Sequence, residues 1–110
     1  MSYDVELADR LRELLASEPS VEEKRMFGGV AFLLNGHMAV GASGKGGLML
    51  RVDPAQTESL LADPRARPFE MRGRPTAGWL RIDLDGSASD DELAQWIQHG
   101  LTYVRALPPK

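Results

Sequence analysis

An Asn-Gly pair between two apolar segments is the feature that most constrains the fold of this chain. Asn35-Gly36 separates an apolar segment that ends at Leu34 from another that begins at His37. A two-residue hairpin turn of type I′ needs positive φ at both central residues, which Asn and Gly tolerate. The sequence therefore predicts a β-hairpin with three cross-strand pairs: Leu34 with His37, Leu33 with Met38, and Phe32 with Ala39.

The residues around the hairpin predict further strands. From Glu23 to Val52 the apolar residues follow the period of strands, with interruptions at Gly28-Gly29 and at the glycine-rich residues 43–47. This pattern predicts three antiparallel strands, the first of them kinked or bulged at the glycine pair. Two more strands are predicted near Pro68 to Arg72 and near Gly78 to Leu84.

Three helices are predicted around these strands. Leucines on one face predict a first helix from about Tyr3 to Ser17. An Asp followed by Pro predicts a short, capped helix from Asp53 to about Ala62. Ser89 and Glu92 have the spacing of a capping box and predict the start of a last helix that runs to about Leu107.

The order of these elements, α-β(3)-α-β(2)-α, predicts a two-layer α+β domain whose antiparallel sheet is covered by helices. The apolar stripe of the last helix contains Gly100, and a glycine there lets the helix backbone approach the sheet closely. No stretch has the composition of a long linker, so residues 1–110 are expected to form a single domain.

Composition restricts the classes of function. The chain has a formal net charge of −3 and no cysteine. Absence of cysteine excludes disulfides and thiolate sites and agrees with a reducing compartment, and no apolar run approaches the roughly 20 residues that cross a bilayer. We therefore expect a cytoplasmic protein without a membrane span. The negative charge predicts no tight DNA binding by this domain alone, because such binding depends on Lys and Arg.

The patterns for cofactor, metal and catalytic sites are incomplete. The glycine-rich residues 41–47 lack the spacing of a phosphate-binding loop and of a dinucleotide fingerprint. His37 and His99, the two histidines of the chain, do not stand in a metal-ligand spacing. The crowded acids from Asp83 to Glu92 are interpreted as turn and capping residues rather than cation ligands. The sequence predicts no cofactor, no metal and no catalytic residue.

An arginine-rich segment is a candidate binding site. Arg72, Arg74 and Arg81 belong to a part of the chain with several arginines in an otherwise acidic protein. If they share one edge of the sheet, they form a site for an acidic partner segment, a small anion or a nucleic-acid backbone. Pairing within the chain, with the acidic ends of the helices, is the alternative.

Trp79 is the second candidate for a binding role. It alternates with Leu80 and Ile82 and therefore points to the opposite face of its strand. If that face looks away from the helices, an indole beside an arginine is a typical anchor for a homodimer or a protein partner. In the alternative interpretation, the stem of Arg72 or Arg81 covers the indole.

Residues 25–40, together with residues 47–52 and 78–83, resemble the N-terminal domain of the TfoX/Sxy family, whose best-known members regulate natural competence. The resemblance spans about Met26 to Pro108 and depends on spaced glycine, aromatic and apolar positions. It implies a fold like that of secretion chaperones. It also implies a stand-alone, non-enzymatic regulatory or adaptor domain that acts through protein contacts. A small sensor of anionic ligands, or an enzyme, that uses the region from Arg72 to Arg81 is the alternative function.

Overall fold

A helix, four strands, two short helices, two strands and a last helix follow one another along the chain in an α+β arrangement, which confirms the predicted fold class. The computed structural model describes residues 4–26, 28–44, 46–71, 73–85 and 87–108. The helices are α1 (Val5–Leu14), α2 (Thr57–Leu60) and α3 (Asp90–Arg105), and a short 3-10 helix, η1 (Pro54–Gln56), leads into α2. The strands are β1 (Val21–Met26), β2 (Gly29–Leu34), β3 (His37–Ala42), β4 (Leu48–Arg51), β5 (Ala66–Met71) and β6 (Arg74–Ile82).

The turn between β2 and β3 has the predicted conformation. Asn35 has a φ of 54° and Gly36 a φ of 85°, as a type I′ turn requires. Two of the predicted cross-strand pairs are confirmed: Leu34 with His37, and Leu33 with Met38.

The third predicted pair of this hairpin is wrong. Phe32 pairs with Val40 instead of Ala39, because the register shifts between Phe32 and Leu33. A bulge places one extra residue, here Ala39, opposite a regular strand. Ala39 is nevertheless buried, with 1% of its surface exposed, so the bulge belongs to the core side of the sheet.

Gly36→Val is expected to destabilise the protein by about 1–3 kcal/mol, because a β-branched side chain at positive φ clashes with its own backbone. Urea unfolding should show a lower midpoint for this variant than for the wild type. Glu22→Val is the matched control, since it places the same side chain at an exposed position of β1. An unchanged midpoint for Gly36→Val would mean that the turn does not hold the hairpin.

The described strands form one antiparallel sheet in the order β1-β2-β3-β4-β6-β5. This corrects the predicted number of strands from five to six. The segment predicted as one kinked strand consists of β1 and β2, which pair with each other from Val21 opposite Leu34 to Met26 opposite Gly29. Gly28, with a φ of 75°, lies in the turn between them, so the glycine pair reverses the chain instead of bending it. Phe27 lies outside the described residues.

The helices cover one face of this sheet. The core between the two layers contains apolar residues from α1, α3 and the strands, and α3 contacts mainly β3 and β4. The predicted stripe of α3 is buried: Leu93, Trp96, Ile97, Gly100, Leu101 and Val104. A Cβ atom at Gly100 would lie only 2.7 Å from the carbonyl oxygen of Ala39, which confirms the close approach of helix and sheet.

The caps explain where the helices begin. Asp53 Oδ1 accepts a hydrogen bond from the backbone N–H of Ala55 at 2.9 Å, and Ser89 Oγ accepts one from Glu92 at 3.1 Å. The predicted capping box also has the Glu92 carboxylate accept from the backbone N–H of Ser89. In the structure this carboxylate accepts a hydrogen bond from Arg65 instead. The helix predicted from Asp53 to about Ala62 is shorter than expected. It consists of η1 followed by α2, which ends at Leu60. In the described ranges, no helix has the length and apolar character needed to cross a membrane.

A bidentate ion pair joins α1 to the edge strand β1. Arg12 Nε donates to Glu23 Oε1 at 2.7 Å, and Arg12 Nη2 donates to Glu23 Oε2 at 2.8 Å. These hydrogen bonds from the guanidinium hold the pKa of Glu23 below its ordinary value.

Glu23→Gln is therefore expected to lower stability at neutral pH, by less than about 1 kcal/mol because both side chains are partly exposed. A folded-state pKa below the unfolded value of about 4.3 means that the pair stabilises the protein above that pH. The contribution disappears as the pH falls through the folded-state pKa. Urea unfolding of the wild type and the variant at pH 7 and pH 3 measures this, and a difference independent of pH would contradict it.

Candidate functional site

The structure separates the arginines of the predicted binding site. Arg74 begins β6, and Arg81 lies near the end of the same strand. In the pairing of β6 with β5, Arg74 lies opposite Met71 and Arg81 lies opposite Arg67, and these two partners are four residues apart, or about 13 Å. Arg72 lies outside the described residues. The structure therefore does not bring Arg74 and Arg81 together, and β6 is an interior strand rather than an edge of the sheet.

Neighbouring arginines pair within the chain. Arg67 Nε donates to Asp83 Oδ2 at 2.6 Å, and Arg65 pairs with Glu92 in the first turn of α3. For these two arginines the alternative of intramolecular pairing is the observed one. The side chain of Arg81 packs against the loop between β3 and β4, where a Cβ atom at Gly47 would lie 3.4 Å from its Nε.

Trp79 lies on the face of the sheet opposite to Leu80 and Ile82, as predicted. Leu80 and Ile82 belong to the core under the helices, so the face of Trp79 is the one that looks away from them. The indole is only half-exposed, since the ring centroid of Phe69 lies 6.0 Å away and the Arg51 guanidinium 5.4 Å away. Arg51, the cross-strand partner of Trp79, thus takes the covering role predicted for Arg72 or Arg81. A homodimer through this face stays a prediction, which light scattering of the wild type and Trp79→Ala measures.

The acids between Asp83 and Glu92 serve in turns, caps and ion pairs. Asp85 accepts hydrogen bonds from the hydroxyl and the backbone N–H of Ser87, which lower the pKa of Asp85. Asp90 pairs with Arg10. Within the described part of the chain, no three His, Cys, Asp or Glu residues are grouped so as to hold a metal ion.

A groove of about 640 Å³ runs along α3 on the side that faces η1 and α2. A second space of about 200 Å³ shares Gln95 and His99 with it and continues toward α2. We call the two together the α3 groove. Its lining residues on α3 and at the C-cap of this helix are Gln95, Trp96, Gln98, His99, Thr102, Tyr103 and Ala106, and those on the facing wall are Asp53, Gln56, Ser59, Leu60 and Asp63.

The facing wall is fixed to β6 by contacts around Gly78. The backbone N–H of Gly78 donates to Thr57 Oγ1 at 2.9 Å, and its carbonyl oxygen accepts from Val52 at 2.8 Å. Gly78 has a φ of 88°, and a Cβ atom there would lie 3.2 Å from Cγ of Pro54. Because η1 rests directly on this glycine, contacts within the chain hold the facing wall in place.

The lining of the α3 groove is rich in uncharged polar groups. Gln95, Gln98, His99 and Thr102 are exposed on the flank of α3 that does not contact the sheet. The ring of His99 lies 6.0 Å from that of the buried Trp96. Amides, hydroxyls and imidazoles both donate and accept hydrogen bonds. The groove can therefore hydrogen-bond a polar chain such as a peptide backbone.

The charge around the α3 groove is negative. Residues 53–63 contain three acids and no Lys or Arg, whereas two of the three acids of residues 90–104 are paired with arginines, Asp90 with Arg10 and Glu92 with Arg65. Asp53 and Asp63 each line the groove. A concave site lined by one sign of charge attracts groups of the opposite sign. The groove thus favours a cationic occupant.

Sequence reasoning missed this site, although part of its signal was present. Residues 95, 99, 102 and 106 follow a helical period, and the polar side chains among them carry no fixed charge. That stripe distinguishes this face of the helix from an ordinary exposed face with charged side chains. The sequence does not show that η1 and α2 form the opposite wall.

Comparison with known proteins places the chain in a family. The model of the TfoX N-terminal domain matches residues 13–103. This range includes the described strands and both walls of the groove as far as Tyr103. No curated protein and no solved structure matches the chain. Since the match extends over most of its length, the chain belongs to the family of TfoX N-terminal domains.

Proposed function

We propose that this chain is a regulatory domain that binds another protein through the α3 groove and does not act as an enzyme. Family membership supports a domain like those of competence regulators. The observation that carries the protein-binding function is the preformed groove, with its amide and hydroxyl lining along one flank of α3.

The dimensions of the groove suit an extended peptide. From Gln95 to Ala106 the flank of α3 is about 16 Å long, at about 1.5 Å per helical residue. An extended chain of about five residues has the same length. Since the walls are already in place, mainly the partner segment loses conformational freedom on binding, which favours affinity.

The lining of the groove suits hydrogen bonding to a peptide main chain. The amides of Gln56, Gln95 and Gln98 supply hydrogen bonds rather than acid or base steps, and they line the groove together with the titratable groups of Asp53, Asp63, His99 and Tyr103. Each amide offers both a donor and an acceptor, as a peptide main chain requires. This composition supports an adaptor role.

Site-specific photocrosslinking in the cells that make this protein tests the proposal. A benzophenone amino acid at Gln98 should form a covalent adduct with another protein, because Gln98 is exposed and lines the groove. The control position is Glu13, which is exposed on α1. Equal adducts at both positions, or none at Gln98, would contradict the proposal.

Thermal unfolding with a panel of small molecules separates this proposal from the alternative of an anion sensor or enzyme. Nucleotides, phosphosugars and divalent cations should change the melting temperature by less than about 1 °C. A ligand that binds the native state must stabilise it. A rise of several degrees with one anionic compound would favour the alternative.

We also expect no sub-micromolar binding of duplex DNA by the purified domain at physiological salt. The net charge is −3, and the acids around the α3 groove repel phosphates. A gel-shift titration with nonspecific duplex measures this. A tight, salt-sensitive complex would contradict the expectation.

We place the protein in the cytoplasm, which the absence of cysteine supports.

A further inference from the structure

We infer that the occupant of the α3 groove is a basic segment, an extended stretch of a partner protein that carries lysine or arginine residues. The inference rests on the proposed protein-binding function and adds the chemistry of the partner. It is carried by the position of two carboxylates in the groove and by the pairing of the arginines around it.

Asp53 and Asp63 line the two parts of the groove. Asp53 Oδ1 accepts the backbone N–H of Ala55 at 2.9 Å, and Asp63 Oδ1 accepts that of Arg65 at 2.8 Å. These bonds orient each side chain. A carboxylate accommodates about four hydrogen bonds, so each retains capacity for a cationic donor from a partner. The two acids thus offer fixed positions for ammonium or guanidinium groups.

The arginines near the groove are engaged elsewhere. Three of them pair with acids that do not line it: Arg10 with Asp90, Arg65 with Glu92, and Arg105 with Glu18. Arg51 is stacked between the rings of Trp79 and Tyr103, at 5.4 Å and 5.5 Å from their centroids. Arg51 keeps its positive charge beside Tyr103. The described ion pairs do not neutralise Asp53 or Asp63, so their two negative charges outnumber the positive charge of Arg51 at the groove.

The uncharged lining completes the site for a peptide. Gln95, Gln98 and Thr102 lie along the flank of α3 and can bond the main chain of a bound segment. An acidic segment meets repulsion from both carboxylates, so charge selects the partner.

Fluorescence anisotropy with two labelled octapeptides tests this inference. One alternates lysine with alanine, and the other alternates glutamate with alanine. The lysine peptide should bind the wild-type protein at least about tenfold more tightly than the glutamate peptide, and added salt should weaken its binding. Equal binding of the two peptides would overturn the inference.

Matched variants show where the lysine peptide binds. The double variant Asp53→Asn, Asp63→Asn should weaken binding of the lysine peptide at least about fivefold. Asparagine keeps the oxygen that accepts each backbone hydrogen bond, so the fold is retained. The control Glu6→Gln, Glu13→Gln removes the same charge from exposed positions of α1 and should change affinity less than about twofold. Equal losses in both variants would overturn the groove as the binding site.

The outcomes distinguish this inference from the proposed function. A protein adduct at Gln98, combined with no preference for the lysine peptide, would overturn the basic segment and leave protein binding in place. The absence of any adduct at Gln98 would remove the proposed function, and preferential binding of the lysine peptide would then describe only the charge of the groove.

Discussion

Gly29→Ala is expected to lower the free energy of unfolding by at least about 3 kcal/mol. This loss is at or above the upper end of the range that is usual when a side chain is added to a packed core. A Cβ atom at Gly29 would lie 2.1 Å from the carbonyl oxygen of Ala42 and 2.8 Å from the backbone nitrogen of Gly44. Both contacts are with backbone, so no side-chain rotation relieves them. β2 and β3 must separate at this end, which weakens the centre of the sheet.

Urea unfolding followed by tryptophan fluorescence measures the effect of Gly29→Ala. Gly73→Ala is the control, since Gly73 has a φ of 78° and no atom within 4 Å of its added Cβ. The control carries only the backbone cost of positive φ, about 1 kcal/mol. A Gly29→Ala variant no less stable than the control would contradict the close approach of β2 and β3.

Gly100→Val is the second substitution with a large expected effect, a loss of about 2–4 kcal/mol. The added Cβ would lie 2.7 Å from the carbonyl oxygen of Ala39 and 3.2 Å from that of Arg51. α3 must move away from the sheet, and the better helix propensity of valine offsets only a few tenths of a kcal/mol. The core under the helix loses contacts as a result.

Thermal and urea unfolding measure the effect of Gly100→Val. Gln98→Val is the control, because it introduces the same residue into the same helix at an exposed position. The control should change stability by less than about 1 kcal/mol. Similar losses for the two variants would mean that the glycine does not set the distance between α3 and the sheet.

Local signals in the sequence predicted the features that depend on nearby residues. The turn at Asn35-Gly36 and the cap at Ser89 need only a few residues of chain. The turn has the predicted form, and the Ser89 hydroxyl accepts from Glu92 as predicted, although the Glu92 carboxylate pairs with Arg65. The glycine pair at residues 28–29 is different, because glycine serves both a kink and a chain reversal. Only the pairing of β1 with β2, which extends over six residue pairs, distinguishes the two.

The candidate arginine site depended on strand lengths that the sequence did not define. The sequence predicts strands near Pro68 to Arg72 and near Gly78 to Leu84, which leaves Arg74 in the connection between them. Instead Arg74 already belongs to β6, opposite Met71. The hairpin is longer and its turn tighter, so Arg74 lies at one end of the strand and Arg81 near the other.

The surroundings of Trp79 and the walls of the α3 groove depend on tertiary contacts, which local sequence patterns do not predict. Alternation along the strand predicted the correct face for Trp79. Arg51 covers the indole of Trp79 because β4 pairs with β6, and the local sequence does not determine this order of strands. Likewise the wall of the groove depends on η1 resting on Gly78, a contact between distant parts of the chain.

The central claim is that the α3 groove binds a partner protein, and an NMR titration tests it residue by residue. The ¹⁵N-labelled domain is titrated with the partner segment captured by the cross-linker at Gln98. The account predicts that amide shift changes concentrate on the groove and leave Trp79 unaffected, the groove amides being Asp53, Gln56, Gln95, His99 and Thr102. Changes concentrated around Trp79 on the opposite face of the sheet, or spread evenly over the surface, would contradict it.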